Sequence, residues 1–367
     1  MSATSSRTSP HPRVLSGMRP TGPLHLGNYM GALYNWVHLQ QEYDCYFFIA
    51  DLHALTTDYA DTSLLRQNIQ DVALDFLAAG LDPGRAVIFK QSEVMHHSQL
   101  FTLFSMMTPI PWLERVPSYK DQQTQLTNKV LNTYGFLGYP LLQAADILLY
   151  KPHFVPVGAD QVAHVELTRE VARRFNLFYS PRSAVTEKHF QAAASDKEKM
   201  AALEGETRKI SAILPEPDVL LTPSPKLPGL DGRKMSKSYG NTIMLSEPPA
   251  EIRAKLKTMV TDPARIRRSD LGNPDVCPVF DLHKVFSSQQ TQHQAADGCR
   301  SASIGCIECK SWVADAIVER IAPIQEHRRD LQHRPQVIKD VLANGKDRAT
   351  KRAQQTLEEV QVAMGIA

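Results

Sequence analysis

The sequence predicts an α/β fold, a parallel sheet flanked by helices, followed by an all-helical C-terminal region. Two observations carry this. In the first half, apolar runs of four or five residues alternate with amphipathic stretches of helical length. After Ser246 the short runs give way to amphipathic stretches. The chain has 367 residues, room for two domains at about 150 residues each.

The first strand is Arg13 to Gly17 (RVLSG), broken by the Pro20–Pro23 turn, and a helix follows from about Asn28 to Gln41. Tyr46 to Ala50 (YFFIA) is apolar throughout, as suits a strand buried on both faces. Leu65, Ile69, Val72 and Phe76 share one face of a helix over 63–79, with Asp61 or Thr62 to cap it and Gly80 and Pro83 to end it. Ala86 to Lys90 (AVIFK) is the third strand. This βαβαβ order implies right-handed crossovers. A helix over 138–150, a strand over Phe154–Val157 and a helix over 160–175 continue the pattern. Residues 183–219 are polar and charged and are expected to be a surface insertion, and 1–12 a frayed N-terminus in preference to a cleaved transit peptide. The division is placed near residue 245: 13–245 as the α/β domain and 246–367 as the helical domain, with helices over 250–261, 310–330 and 335–364.

Composition excludes several classes. No apolar run approaches the ~20 residues that span a bilayer. No secretory hydrophobic segment is evident. A net charge of +2 leaves nucleic-acid binding to local patches, such as Arg253, Lys255, Lys257, Arg265, Arg267 and Arg268.

Two strings carry chemistry. Pro20-Thr21-Gly22-Pro23-Leu24-His25-Leu26-Gly27-Asn28 is a glycine-containing turn opening a helix at the carboxyl end of a parallel strand. Backbone can approach a ligand at Gly22 and Gly27, and the helix N-terminus favours phosphate. It is neither G-x-G-x-x-G nor a P-loop. Lys234-Met235-Ser236-Lys237-Ser238 lies in a polar loop whose lysines can close on a triphosphate.

Together the strings resemble the HIGH and KMSKS signatures of class I aminoacyl-tRNA synthetases, with Asn28 in the fourth place of HIGH. Ser16-Gly17-Met18-Arg19-Pro20-Thr21-Gly22, Asp51-Leu52-His53-Ala54, Ala144-Ala145-Asp146-Ile147-Leu148-Leu149-Tyr150 and Val155-Pro156-Val157-Gly158-Ala159-Asp160-Gln161 resemble the bacterial tryptophanyl-tRNA synthetases. The nearest alternatives are a tyrosyl-tRNA synthetase and a non-catalytic RNA-binding paralogue.

The resemblance implies a Rossmann-like catalytic domain and an anticodon-binding helical domain. It implies tryptophan activation by ATP with Mg2+, transfer to tRNA(Trp), a cytoplasmic homodimer and no membrane. It places Arg19, Pro20, Thr21, Gly27, Asn28, Gly158, Ala159, Asp160, Leu227, Met235, Ser236 and Ser238 at ATP. His25 would face the phosphates, and Lys234 and Lys237 would hold the pyrophosphate. Asp146 would accept the indole N–H, while Tyr139 and Gln161 would meet the amino group. Gln143 stands where many bacterial members have methionine, Leu15 where an aromatic is common, and Arg19 where glutamine is common; these mark the pocket as its own.

Of five cysteines, Cys45 stands alone and Cys277, Cys299, Cys306 and Cys309 are spaced C-x21-C-x6-C-x2-C. Without a signal peptide such clustering favours a metal site over disulfides. Four thiolates suit zinc or an iron–sulfur cluster. A subset of the bacterial synthetases carries a [4Fe–4S] cluster on a similar pattern one residue longer in the first gap. The expectation is therefore [4Fe–4S], with zinc second.

Overall fold

The computed structural model describes residues 11–125, 129–158, 161–181, 198, 212–221 and 226–367. Five strands form one parallel sheet: β1 (Arg13–Met18), β2 (Asp44–Ile49), β3 (Ala86–Lys90), β4 (Phe154–Val157) and β5 (Asp218–Leu221), in the order β3-β2-β1-β4-β5. The expected strands lie within a residue or two of these. The order reverses between β1 and β4, so a cleft opens at their carboxyl ends. The HIGH turn leaves β1 there and Gly158 leaves β4.

Most of the surface insertion expected over 183–219 lies outside the described residues, but its last two residues open β5. The strand's four residues alternate too little to announce it, yet they pair with β4 along its whole length. Leu214, just before it, is fully buried. Asn176 holds that approach, accepting from the Ile213 and Leu214 N–H groups at 3.0 Å each.

After β1, α1 (Leu26–Asn28) continues through a π turn (Tyr29–Leu33) into α2 (Tyr34–Leu39). Then come α3 (Asp51–Asp58), α4 (Leu65–Ala78), α5 (His96–Ser105), α6 (Ile110–Glu114), α7 (Pro117–Gln125), α8 (Tyr134–Tyr150) and α9 (Val162–Tyr179). α8 starts four residues earlier than expected because Thr133 caps it, accepting from Phe136 N–H at 3.2 Å. Beyond the KMSKS loop lie α10 (Pro249–Thr258), α11 (Pro278–Phe286), α12 (Gln289–Arg300), α13 (Cys306–Gln332) and α14 (Pro335–Met364). Among the described residues no helix is long and apolar enough to cross a membrane.

Strand alternation divides the core in two. Val14, Met18, Phe47, Ile49 and Ile88 pack with residues of α4, α10 and α13. Leu15, Tyr46, Phe48, Val87 and Phe89 pack with α5, α8, α9 and α14. The helical region thus shares both cores with the sheet. α14 covers β3, the sheet edge that would otherwise offer unpaired backbone. Gly345 permits this approach, since a Cβ there would lie 1.7 Å from the Ile88 carbonyl oxygen. Arg348 donates to the Pro83 carbonyl at 2.9 Å on the same edge.

Candidate active site

The HIGH turn is fixed by backbone pairing. Leu26 N–H donates to the Ile243 carbonyl and Leu245 N–H to that of Leu24, both at 2.9 Å, so residues 24–26 run antiparallel to 243–245. His25 caps α1 reciprocally with Asn28: its Nδ1 accepts from Asn28 N–H, and Asn28 Oδ1 accepts from His25 N–H, each at 3.2 Å. Gly27 is required, because a Cβ there would sit 2.9 Å from the imidazole. Burial, then Lys237 and Lys234, push His25 down to about 4, so the ring is neutral at pH 7. With Nδ1 accepting, the proton sits on Nε2, which is left as the ring's donor. Pro20 is buried and Arg19 exposed, within electrostatic reach of Asp58 and Tyr139.

The KMSKS loop folds on itself around Asn241. Its Oδ1 accepts from Ser236 N–H at 2.8 Å, and its Nδ2 donates to Asp231 at 2.7 Å and to the Lys234 carbonyl at 3.3 Å. Met235 N–H donates to the Leu227 carbonyl at 2.9 Å, burying both side chains. The two motifs meet where Lys237 Nζ donates to the Gly22 carbonyl at 2.7 Å. Gly22 has φ +126°, a conformation that favours glycine.

Burial lowers Lys237 to about 8, against the pull of Asp75 and Asp71. The ammonium is the charged form, so it is present below that value and lost as pH rises through it. At subsaturating ATP, turnover is expected to fall above about pH 8. Lys237→Arg, whose guanidinium stays charged, should move that limb out of range; an unchanged limb would assign it to another group.

Beneath the sheet's other face lies Asp146, 1% exposed on α8. His53 Nε2 donates to its Oδ2 at 2.8 Å and His97 Nδ1 to its Oδ1 at 2.7 Å. Gln91 Nε2 reaches both oxygens, at 2.8 and 2.9 Å. Tyr150 O–H supports His97 Nε2 at 2.9 Å. Burial opposes the charge, but His97 and His53 hold the Asp146 carboxyl below its ordinary range. Tyr139 has a second set of partners: its hydroxyl meets Ser118 Oγ at 2.6 Å, and Ser118 meets His164 Nε2 at 2.7 Å. Leu15 is buried in the core on the Asp146 side, and Gln143, Gly158 and Gln161 are half-buried. Ala159 and Asp160 lie outside the described residues.

A profile of the tRNA synthetases class I (W and Y) matches residues 7–322. The chain belongs to this family. The tryptophan–tRNA ligase of Ralstonia nicotianae is 49% identical to this synthetase over 96% of the chain and 98% of its own length. That of Thermotoga maritima is 46% identical over 96% and 99%. The crystal structure of tryptophanyl-tRNA synthetase from Campylobacter jejuni complexed with ADP and tryptophan superposes with a TM-score of 0.77 at 29% identity, covering 96% of this chain and 99% of that one.

In the synthetase the four cysteines come from three elements. Cys277 precedes α11, Cys299 lies in α12, and Cys306 and Cys309 open α13. Burial, then the thiols of Cys277, Cys299 and Cys306, push Cys309 up to about 12, which places the four within electrostatic reach of one another. Among the described residues no three His, Cys, Asp or Glu side chains converge on a single ion-sized point. A Cβ at Gly272 would lie 2.5 Å from Cys299 Sγ.

The basic stretch is narrower than its sequence. Arg253 pairs with Asp315, Lys255 with Glu247, and Arg265 is buried against Cys299 and Ile304. Lys257, Arg267 and Arg268 are exposed. Sequence reasoning did not single out Asn241, Gln91, His97, Ser118 or His164. Only His53, inside a matching segment, carried a local signal.

Proposed function

We propose that this chain is a tryptophan–tRNA ligase, forming tryptophanyl-adenylate and pyrophosphate from L-tryptophan and ATP and then passing the aminoacyl group to tRNA(Trp). The carrying observation is the Lys237–Gly22 contact, which brings the two motifs together at the switch point of the sheet. Tryptophan as substrate is supported by the extended similarity to the Ralstonia and Thermotoga ligases.

The tryptophan carboxylate is ionised at neutral pH and attacks the α-phosphorus directly, so no general base is required. Catalysis is positioning and charge stabilisation. ATP lies over Pro20, Thr21, Gly27 and Asn28, with Arg19 at its edge and Gly158, Ala159 and Asp160 towards ribose and adenine. Leu227 and Met235 wall the site. The neutral His25 donates from Nε2 to a phosphoryl oxygen as charge grows there. Lys234 and Lys237, with Ser236 and Ser238 beside them, hold the departing pyrophosphate. Mg2+ supplies further neutralisation of the phosphates. A hydroxyl of the terminal tRNA ribose then attacks the aminoacyl carbonyl and AMP leaves.

Indole N–H is taken by Asp146. Both its oxygens already accept from protein, so the substrate displaces a donor. His53, the least buried of the three with a side chain 10% exposed, is the donor that yields. Tyr139, oriented by Ser118 and His164, and Gln161 meet the amino group. Gln143 and Leu15 complete the pocket. Amino-acid-dependent ATP–pyrophosphate exchange tests the reading; exchange driven by tyrosine alone rejects it.

Residues 246–367 supply the anticodon contacts, with Lys257, Arg267 and Arg268 as phosphate contacts. The enzyme works as a homodimer in the cytoplasm. Cys277, Cys299, Cys306 and Cys309 hold a [4Fe–4S] cluster. An all-thiol donor set, mutual electrostatic reach and a glycine beside Cys299 support it, with zinc second. When bound it supplies a cross-link between α11, α12 and α13. Anaerobically purified protein is expected to contain about four irons per chain; colourless protein with stoichiometric zinc overturns this assignment.

A further inference from the structure

One end of α13 begins at the cysteines; the other is tied to the HIGH turn by side chains the reaction does not use. Arg328, 8% exposed, donates Nε to Asp75 Oδ1 at 2.8 Å and a terminal nitrogen to Asp71 Oδ1 at 2.9 Å. Asp75 lies on α4 and is fully buried. Its other oxygen accepts from Leu24 N–H at 3.0 Å, one residue before His25. Three residues back along α13, Gln325 Nε2 donates to the Leu245 and Glu247 carbonyls at 2.8 and 2.7 Å. Those residues belong to the segment that pairs with Leu24 and Leu26. Arg320 lies over the Tyr34 ring at 5.1 Å, on the helix that follows HIGH. One helix therefore holds both the start of the HIGH turn, through Asp75, and the segment after KMSKS that pairs with it.

The charges give this grip a consequence. Asp75 and Asp71 stand behind the turn against which Lys237 rests, and both act on Lys237 across it. Without a counter-charge the two carboxylates would hold Lys237 back against the turn and repel the phosphates in front of it. Arg328 supplies that counter-charge by bridging both.

We propose that Arg328 is a positioning residue for the ATP step: by bridging Asp75 and Asp71 it sets the Leu24–His25 backbone and offsets the two carboxylates behind the phosphate end of the ATP site. The proposal rests on the reading of this cleft as an ATP site.

The test uses the full chain. ATP Kd is read by calorimetry, and ATP and tryptophan KM by pyrophosphate exchange. Arg328→Met is expected to raise both ATP constants about tenfold and to change the tryptophan KM less than about twofold. Adding Asp75→Asn, which removes charge but keeps an acceptor for Leu24 N–H, should recover most of that loss. Arg328→Lys, which keeps the charge but loses the bridge, should raise the ATP constants about threefold, and it carries the test should the methionine variant not fold. ATP constants unchanged in the folded variants, equal rises in both KM values, or a double variant worse than the single would reduce Arg328 to a structural role and overturn the proposal. A wild-type chain that binds ATP but exchanges with no amino acid strikes the ligase reading instead, and the calorimetric series still decides the link.

Discussion

Replacing Lys237 with alanine is expected to slow tryptophan-dependent pyrophosphate exchange by about 10²–10³-fold, the usual cost of removing one donor to developing charge. In the free enzyme Lys237 is half-buried, and its hydrogen bond is to a backbone carbonyl, so its loss disturbs little of the fold. The deficit should therefore appear in turnover more than in ATP affinity, because the proposed role of the ammonium is to follow charge onto the leaving pyrophosphate. Lys234→Ala should behave alike. Unchanged turnover in Lys237→Ala would leave the motif contact structural.

Asp146→Ala carries the second large effect. Three donors converge on a carboxylate that is 1% exposed, and the substitution leaves His53, Gln91 and His97 aimed at an empty space. Breaking a buried charged cluster costs about 3–5 kcal/mol, read as a lowered denaturant midpoint. Beyond that, kcat/KM for tryptophan should fall by about 10⁴-fold, since a site built to bond one substrate N–H loses its acceptor. ATP affinity should hold, because the nucleotide site proposed above is at the HIGH turn. Near-normal tryptophan kinetics would remove Asp146 from the indole site.

What sequence revealed follows from what is local. β2, β3 and β4 are largely apolar runs, β1 is marked off by the Pro20–Pro23 turn, and α4, α13 and α14 are long stretches with recurring apolar positions, so each was legible. The HIGH and KMSKS strings were legible as strings, as was the grouping of four cysteines. β5 was not, because four residues with half-exposed side chains gain their identity from pairing with β4. The Asp146 hub was hidden for the same reason: its donors lie 93, 55 and 49 residues away. Asp146 itself could be singled out from apolar neighbours, but not the partners that hold its charge. Arg328 and Asp75 lie 253 residues apart, each unremarkable on its own helix until the fold joins them. The expected division near residue 245 marks where the helical texture begins in sequence, and says nothing of how the helices pack. α13 and α14 build both cores with the sheet, a property of packing that composition does not encode.

The central claim is that the joined motifs activate tryptophan. ATP–pyrophosphate exchange measured with each of the standard amino acids tests it most directly. The structure predicts rapid exchange with tryptophan and little with any other, tyrosine included. Exchange with tyrosine and not tryptophan, or with no amino acid while ATP still binds, would contradict it.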